Sequence, residues 1–258
     1  MAPQPGSGTC INIHKPMGIL EHLSQKVIVP LHWGGIDLSI SNGVITLWLA
    51  VAIVFSFFFL VSRRLQLIPG KAQGVAEVLV QFLKNDVADQ ITHGREKWLP
   101  FIVAIFSFIL VNNLLGLIPG VPSATSNINT TAALAIIVFL VVQIAGLAEH
   151  GLVGYLKSFV PEGIPVLIIP FIVPIEIVST LARPFSLAVR LFANMFAGHA
   201  VMLVLISLIF MFKSYFVIPL PVLGDVIMLM FEIFVAFIQA FIFTFLTTLY
   251  IATALEGH

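Results

Sequence analysis

Arg183-Pro-Phe-Ser-Leu-Ala-Val-Arg190-Leu-Phe-Ala-Asn194-Met-Phe-Ala-Gly198-His199 lies inside a segment, residues 164–212, whose only charged residues are Glu176, Arg183 and Arg190. A guanidinium keeps its proton at any physiological pH. Setting one at the centre of a bilayer costs about 2.5–3.5 kcal/mol even on the lenient insertion scale. A membrane protein retains such a residue where a fixed positive charge has a task.

The rest of the chain agrees that the surrounding medium is lipid. Of its 258 residues 59% are hydrophobic and 9% charged, and the mean hydropathy is +1.10. These values lie outside the range of water-soluble domains and predict an all-α polytopic membrane protein. Twelve basic and twelve acidic side chains cancel, so no global field favours a nucleic-acid partner. Cys10 is the single cysteine, which excludes an internal disulfide and a cysteine metal cluster. No metal or other cofactor is implied. The first 42 residues are mixed and polar, and they read as an extracytoplasmic N-terminal segment without a cleavable signal.

Residues 43–258 form the predicted membrane domain. The charge-free run between Asp37 and Arg63 contains one spanning helix. Residues 98–148 are again uncharged, but Pro119-Gly120-Val121-Pro122-Ser123 and Asn127–Thr131 divide them into two spans. Residues 164–212 and about 221–255 supply two more, too long to cross upright and therefore tilted or kinked. Five crossings result, with the last two helices antiparallel. Between the first and second spans, residues 70–91 repeat Val75, Val78, Leu79, Phe82 and Val87 at helical spacing, opposed by Lys71, Gln73, Glu77, Gln81 and Lys84. This pattern predicts an amphipathic helix lying on the membrane surface or against a partner. Arg63, Arg64, Lys71, Lys84, Arg95, Lys97 and Lys157 fall on one side of such a topology, and Lys15, Lys26 and Lys213 on the other. The excess of positive charge places the C-terminus in the cytoplasm or its equivalent and the N-terminus outside.

Polar residues recur in register inside the last two spans. At about 100° per residue, Arg183 and Arg190 lie about 20° apart and Glu176 about 40° from Arg190. Ser179, Ser186, Ala193 and Ala197 keep this face small enough for another helix to pass closely. Asp225, Glu232 and Gln239 recur every seven residues and form one stripe. With Arg190 and Gln239 level, His199 lies about 13.5 Å and Glu232 about 10.5 Å outward, so imidazole and carboxylate share a depth. Asp225 lies farther out, and Glu176 about 21 Å inward of Arg190. Plainer alternatives stand beside this ordering. Arg183 pairs with Glu176 or snorkels to headgroups; His199 is simply packed; Asp225 is a wet helix-end residue; Asn194, Gln239, Asn112 and Asn113 are ordinary interhelical hydrogen-bonders. Glu149-His150 reads as a solvated helix end.

Arg190-Leu-Phe-Ala-Asn194-Met-Phe-Ala-Gly198-His199, preceded by Arg183-Pro184-Phe-Ser186, resembles the signature of subunit a of F-type ATP synthases. Phe231-Glu232-Ile-Phe-Val-Ala-Phe-Ile-Gln239-Ala-Phe-Ile-Phe is similar to that family's last helix, and Pro69-Gly70-Lys71, His93-Gly94 and Asn113-Leu-Leu-Gly-Leu-Ile-Pro119 to its middle portion. The resemblance implies a stator subunit that provides two proton half-channels to a ring of c-subunits. It implies peripheral-stalk b subunits, other ATP synthase subunits and the lipid bilayer as further partners, and a bacterial inner membrane, alternatively the mitochondrial one. It makes Arg190 the essential arginine, Gln239 its polar partner, Asn194 a channel-lining amide and Glu176 an acid of the inner half-channel. His199 and Glu232 form the acid–imidazole pair of the outer one, with Asp225 beyond them. No Gly-x4-Gly-Lys-Ser/Thr loop occurs, so nucleotide chemistry is expected in another subunit. The alternative class is a proton-coupled secondary transporter, for which an internal repeat is the usual sign and none is found.

Overall fold

Uninterrupted apolar sequence has one economical backbone solution away from water, because a helix satisfies every N–H and C=O within itself. Five such helices dominate the computed structural model, which describes residues 27–29, 32–33, 36–37, 40–63, 65–92, 94–118, 121, 123–157, 169–212 and 218–256. They are α1 (Asn42–Arg63), α3 (Arg95–Gly116), α4 (Ile128–Lys157), α5 (Ile169–Phe212) and α6 (Pro219–Glu256). All five are long and apolar enough to cross a membrane. The all-α polytopic architecture is therefore the one the composition predicts. The first 26 residues, 158–168 and the turn at Lys213 lie outside the described residues.

Ahead of α1 the chain makes two short antiparallel strand pairs that helical periodicity does not signal. Strand β1 (Val27–Val29) pairs with β4 (Ile40–Ser41), and β2 (His32–Trp33) with β3 (Ile36–Asp37).

Helix α6 occupies the centre of the bundle, against α3, α4 and α5, while α1 packs on α3. Phe106, Ile102 and Ile109 of α3, Leu187 and Leu191 of α5, and Phe243 and Ile251 of α6 are almost completely enclosed. In contrast, α1 leaves Trp48, Phe55 and Leu60 exposed, and α5 and α6 leave Phe171, Phe185, Met230 and Phe234 exposed. Exposed apolar side chains of this size and number belong against lipid.

Helix α5 spans 44 residues and α6 spans 38. At 1.5 Å per residue they measure about 66 and 57 Å, roughly twice the hydrocarbon thickness. Pro174 and Pro184 stand inside α5 without ending it. Pro219 begins α6, two residues before the expected start, since a proline in the first helical turn sacrifices no intrahelical bond. Helix α4 runs past Glu149-His150 to Lys157 across a break at Gly151, whose φ of 67° is the left-handed conformation glycine adopts most readily. Glu149 and His150 therefore end the first helical stretch of α4 at this break, as expected.

The segment after α1 differs in detail from its sequence pattern. Helix α2 covers Lys71–Phe82, followed by a π turn at Leu83–Val87 and a 3₁₀ turn at Ala88–Gln90. Leu83, Val87 and Ala88 are buried between α3 and α6, whereas Val75 and Val78 are 62% and 69% exposed. Gln73, placed by periodicity on the polar face, is buried. Its Oε1 accepts the Gln66 N–H at 3.0 Å, and its Nε2 donates to the Gln66 carbonyl at 2.9 Å and to Glu77 Oε1 at 2.7 Å. The amide supplies the loop backbone with the partners that burial requires. The π turn then shifts the helical register, which divides the apolar set between two faces.

Phe243→Ala should remove the largest enclosed side chain of α6. The expected cost is about 3–5 kcal/mol, read as a lower unfolding temperature in detergent. An unchanged transition would contradict α6 as the packing centre.

Candidate functional site

Asp225, Glu232 and Gln239 recur on α6 at seven-residue steps, and two of them, Glu232 and Gln239, are buried. They face α5 and α3. The Asn194 Nδ2 of α5 donates to Gln239 Oε1 at 2.7 Å. Gln239 thus meets an amide one turn beyond Arg190 rather than Arg190 itself. A small cleft there is lined by Asn113, Asn194, Met195, Glu232 and Gln239.

Glu232 lies against Gly198. A Cβ built at Gly198 would overlap the Glu232 carboxyl, so a larger residue there requires the Glu232 side chain to shift. His199 and Asp225 are the titratable groups that act electrostatically on this carboxyl. The imidazole and carboxylate that share a depth in the sequence reading are neighbours in space. Both Glu232 oxygens and Asp225 Oδ1 are enclosed and make no hydrogen bond among the described residues. Asp225 stands inside α6, partly buried, and not at a wet helix end.

His199 is held from two sides. Its Nδ1 lies 2.8 Å from the Met195 carbonyl and its Nε2 2.9 Å from the Gly116 carbonyl at the end of α3. Both partners only accept, so the ring donates to both only when it carries two protons. Helix α3 contributes more than its sequence announces. Asn113 is buried, and its Oδ1 accepts from Thr125 Oγ1 at 3.1 Å. Thr125 Oγ1 lies 3.3 Å from Ser123 Oγ. Asn112 donates to the Phe108 carbonyl at 2.9 Å and stays within its own helix. Asn113, Gly116 and Gly198 are the residues that sequence reasoning undervalued. Two adjacent asparagines in an otherwise apolar span were the available signal.

Toward the other end of α5 the groups are paired. Glu176 Oε1 lies 3.5 Å from Arg183 Nη2, as the structural alternative anticipated. Arg190 stands between the two regions, half-buried, with no hydrogen bond or ion pair among the described residues. Beside it Ser186, Ala193 and Ala197 are exposed, so the small face of α5 is open.

Comparison with known proteins identifies the family of the chain. The family model described as ATP synthase A chain matches residues 44–252. ATP synthase subunit a 2 of Prosthecochloris aestuarii is 45% identical over 92% of this chain and 74% of its own length. ATP synthase subunit a of Chloroherpeton thalassium is 42% identical over 95% of this chain and 74% of its own length. The subunit a of Rhodospirillum rubrum is 38% identical over 95% of this chain and all of its own. With bacterial relatives and five spanning helices, the chain is a multi-pass protein of a bacterial inner membrane. It belongs to the family of ATP synthase subunit a, the membrane stator of the F-type enzyme, and has the other subunits of that complex as its partners.

Proposed function

We propose that this subunit provides two offset proton half-channels to a c-ring and couples proton flow to rotation, with Arg190 as the barrier between them. The observation that supports this most is the contrast along α5 and α6. An arginine without an acidic partner stands between enclosed, unpartnered carboxyl oxygens toward one end and a paired Glu176 toward the other. The excess of lysine and arginine in the α1–α3 connection assigns the Glu176 end to the cytoplasm and residues 1–42 to the outside.

A proton enters past Asp225 and reaches Glu232 and His199, where a second proton on the imidazole is accommodated by the Gly116 and Met195 carbonyls. Asn194, Gln239 and Asn113 continue a hydrogen-bonding lining toward the ring. There the proton neutralises a ring carboxylate, which can then face lipid, since only the neutral form enters hydrocarbon cheaply. After nearly a full rotation the carboxyl releases its proton toward Glu176. Arg190 attracts the newly ionised carboxylate and repels protons that would cross directly. The open face of Ser186, Ala193 and Ala197 admits the ring helix closely. The membrane potential supplies about 2.3 kcal/mol per proton per 100 mV. The peripheral-stalk b subunits hold the stator still, and nucleotide chemistry occurs elsewhere, so this subunit is not itself catalytic.

Arg190→Ala in the reconstituted complex should abolish ATP-driven pumping while allowing passive proton leak. Normal pumping would overturn the assignment. His199→Ala should lower coupled flux roughly a hundredfold, the lower range for loss of a positioned proton-transfer group, with assembly intact. Unchanged flux would remove it from the path. Gly198→Ala should displace the Glu232 carboxyl and also depress flux; wild-type rates would show that the close approach is dispensable.

A further inference from the structure

One basic side chain of α5 is not used by the mechanism above. Arg183 lies one heptad from Arg190, about 10.5 Å along the axis. Side chains on a helix point back toward its N-terminus. Arg183 accordingly reaches toward Glu176, 3.5 Å from its Nη2, and away from Arg190. Its Cζ also stands 5.2 Å from the centroid of the Tyr250 ring on α6, within cation–π range. Arg183 and Tyr250 border an open, mainly apolar cleft between α4, α5 and α6, to which Thr180 and Gln143 add polar atoms. The guanidinium is thus shared between a carboxylate edge and an aromatic face. Its side chain remains 32% exposed and that of Glu176 28%, so the pair is accessible.

We propose that Tyr250 is a positioning residue of the proton path, its ring holding Arg183 against Glu176 beside this cleft. This rests on Arg190 as the barrier between the two half-channels. An arginine among Leu181, Phe185 and Leu187 would otherwise extend along the helix to reach water or headgroups. With the ring in place the cation stays beside Glu176, where the proton leaves. The Tyr250 hydroxyl makes no hydrogen bond among the described residues. The ring face is therefore the acting group, and phenylalanine should substitute for it.

The test uses the whole complex in phospholipid vesicles, reading ATP-driven proton pumping and co-purification with the ring. Tyr250→Leu should slow pumping about five- to tenfold, the scale of one partly exposed cation–π contact, with ring co-purification at the wild-type level. Tyr250→Phe should restore most of the rate. Adding Arg183→Gln to Tyr250→Leu should lower the rate no further than the more severe single variant. Wild-type pumping in Tyr250→Leu overturns the proposal, as do equal losses in the Phe and Leu variants, additive losses in the double variant, or loss of the ring. Arg190→Ala in the same vesicles separates the two readings. If it pumps, the half-channel assignment fails; if it is inactive while Tyr250→Leu is normal, only the role of Tyr250 fails.

Discussion

Hydrocarbon offers a charged or hydrogen-bonding group nothing, and that constraint governs every polar residue of this bundle. A group there must find a partner within the protein, reach water, or be retained at a cost for what it does. Arg183 and Arg190 satisfy the constraint differently although they share a helix and nearly share a face. Arg183 has Glu176 and the Tyr250 ring. Arg190 has neither, and the small-residue face beside it is open. The same chemistry thus serves as a paired charge at one position and as an available charge one heptad away.

The central helix α6 shows the same division among uncharged groups. Thr247 and Thr248 are buried, and each hydroxyl donates to the carbonyl four residues earlier, to Phe243 at 2.8 Å and Thr244 at 2.9 Å. Such hydroxyls are satisfied inside their own helix and need no neighbour. A carboxyl or a carboxamide is too large and too polar for that solution. Gln239 therefore takes Asn194 from α5, while Glu232 occupies the notch left by Gly198. Close helix approach, made possible by small residues, sets how near these polar groups lie to one another. A methyl group at Gly198 would disturb that approach.

Much of the architecture was legible in residue order. Charge-free runs long enough to cross lipid defined five spans, because backbone hydrogen bonding leaves apolar sequence in a membrane few alternatives. The seven-residue spacing of Asp225, Glu232 and Gln239 defined one face, because a helix has a fixed period. The relation of Glu232 to His199 followed from antiparallel helices of constant rise. Where periodicity was interrupted, the residue pattern misled. Val75 and Val78 were grouped with Val87, but the π turn after Phe82 separates them, and Gln73 is buried by its bonds to the Gln66 backbone. Asp225 looked like a helix end beside Gly224, yet α6 begins six residues earlier at Pro219.

By itself, then, the order of residues determined the medium, the number of spans, the helical stripes and the order of the charges along them, all consequences of composition and a regular repeat. Only the tertiary structure decided which partner each polar group meets: Asn194 for Gln239, Gly198 beside Glu232, the Gly116 carbonyl for His199, and Tyr250 for Arg183. Those pairings depend on crossing angle, helix rotation and the volumes of small residues on separate helices. No local periodicity encodes them, because each is set by the fit of two surfaces far apart in the chain.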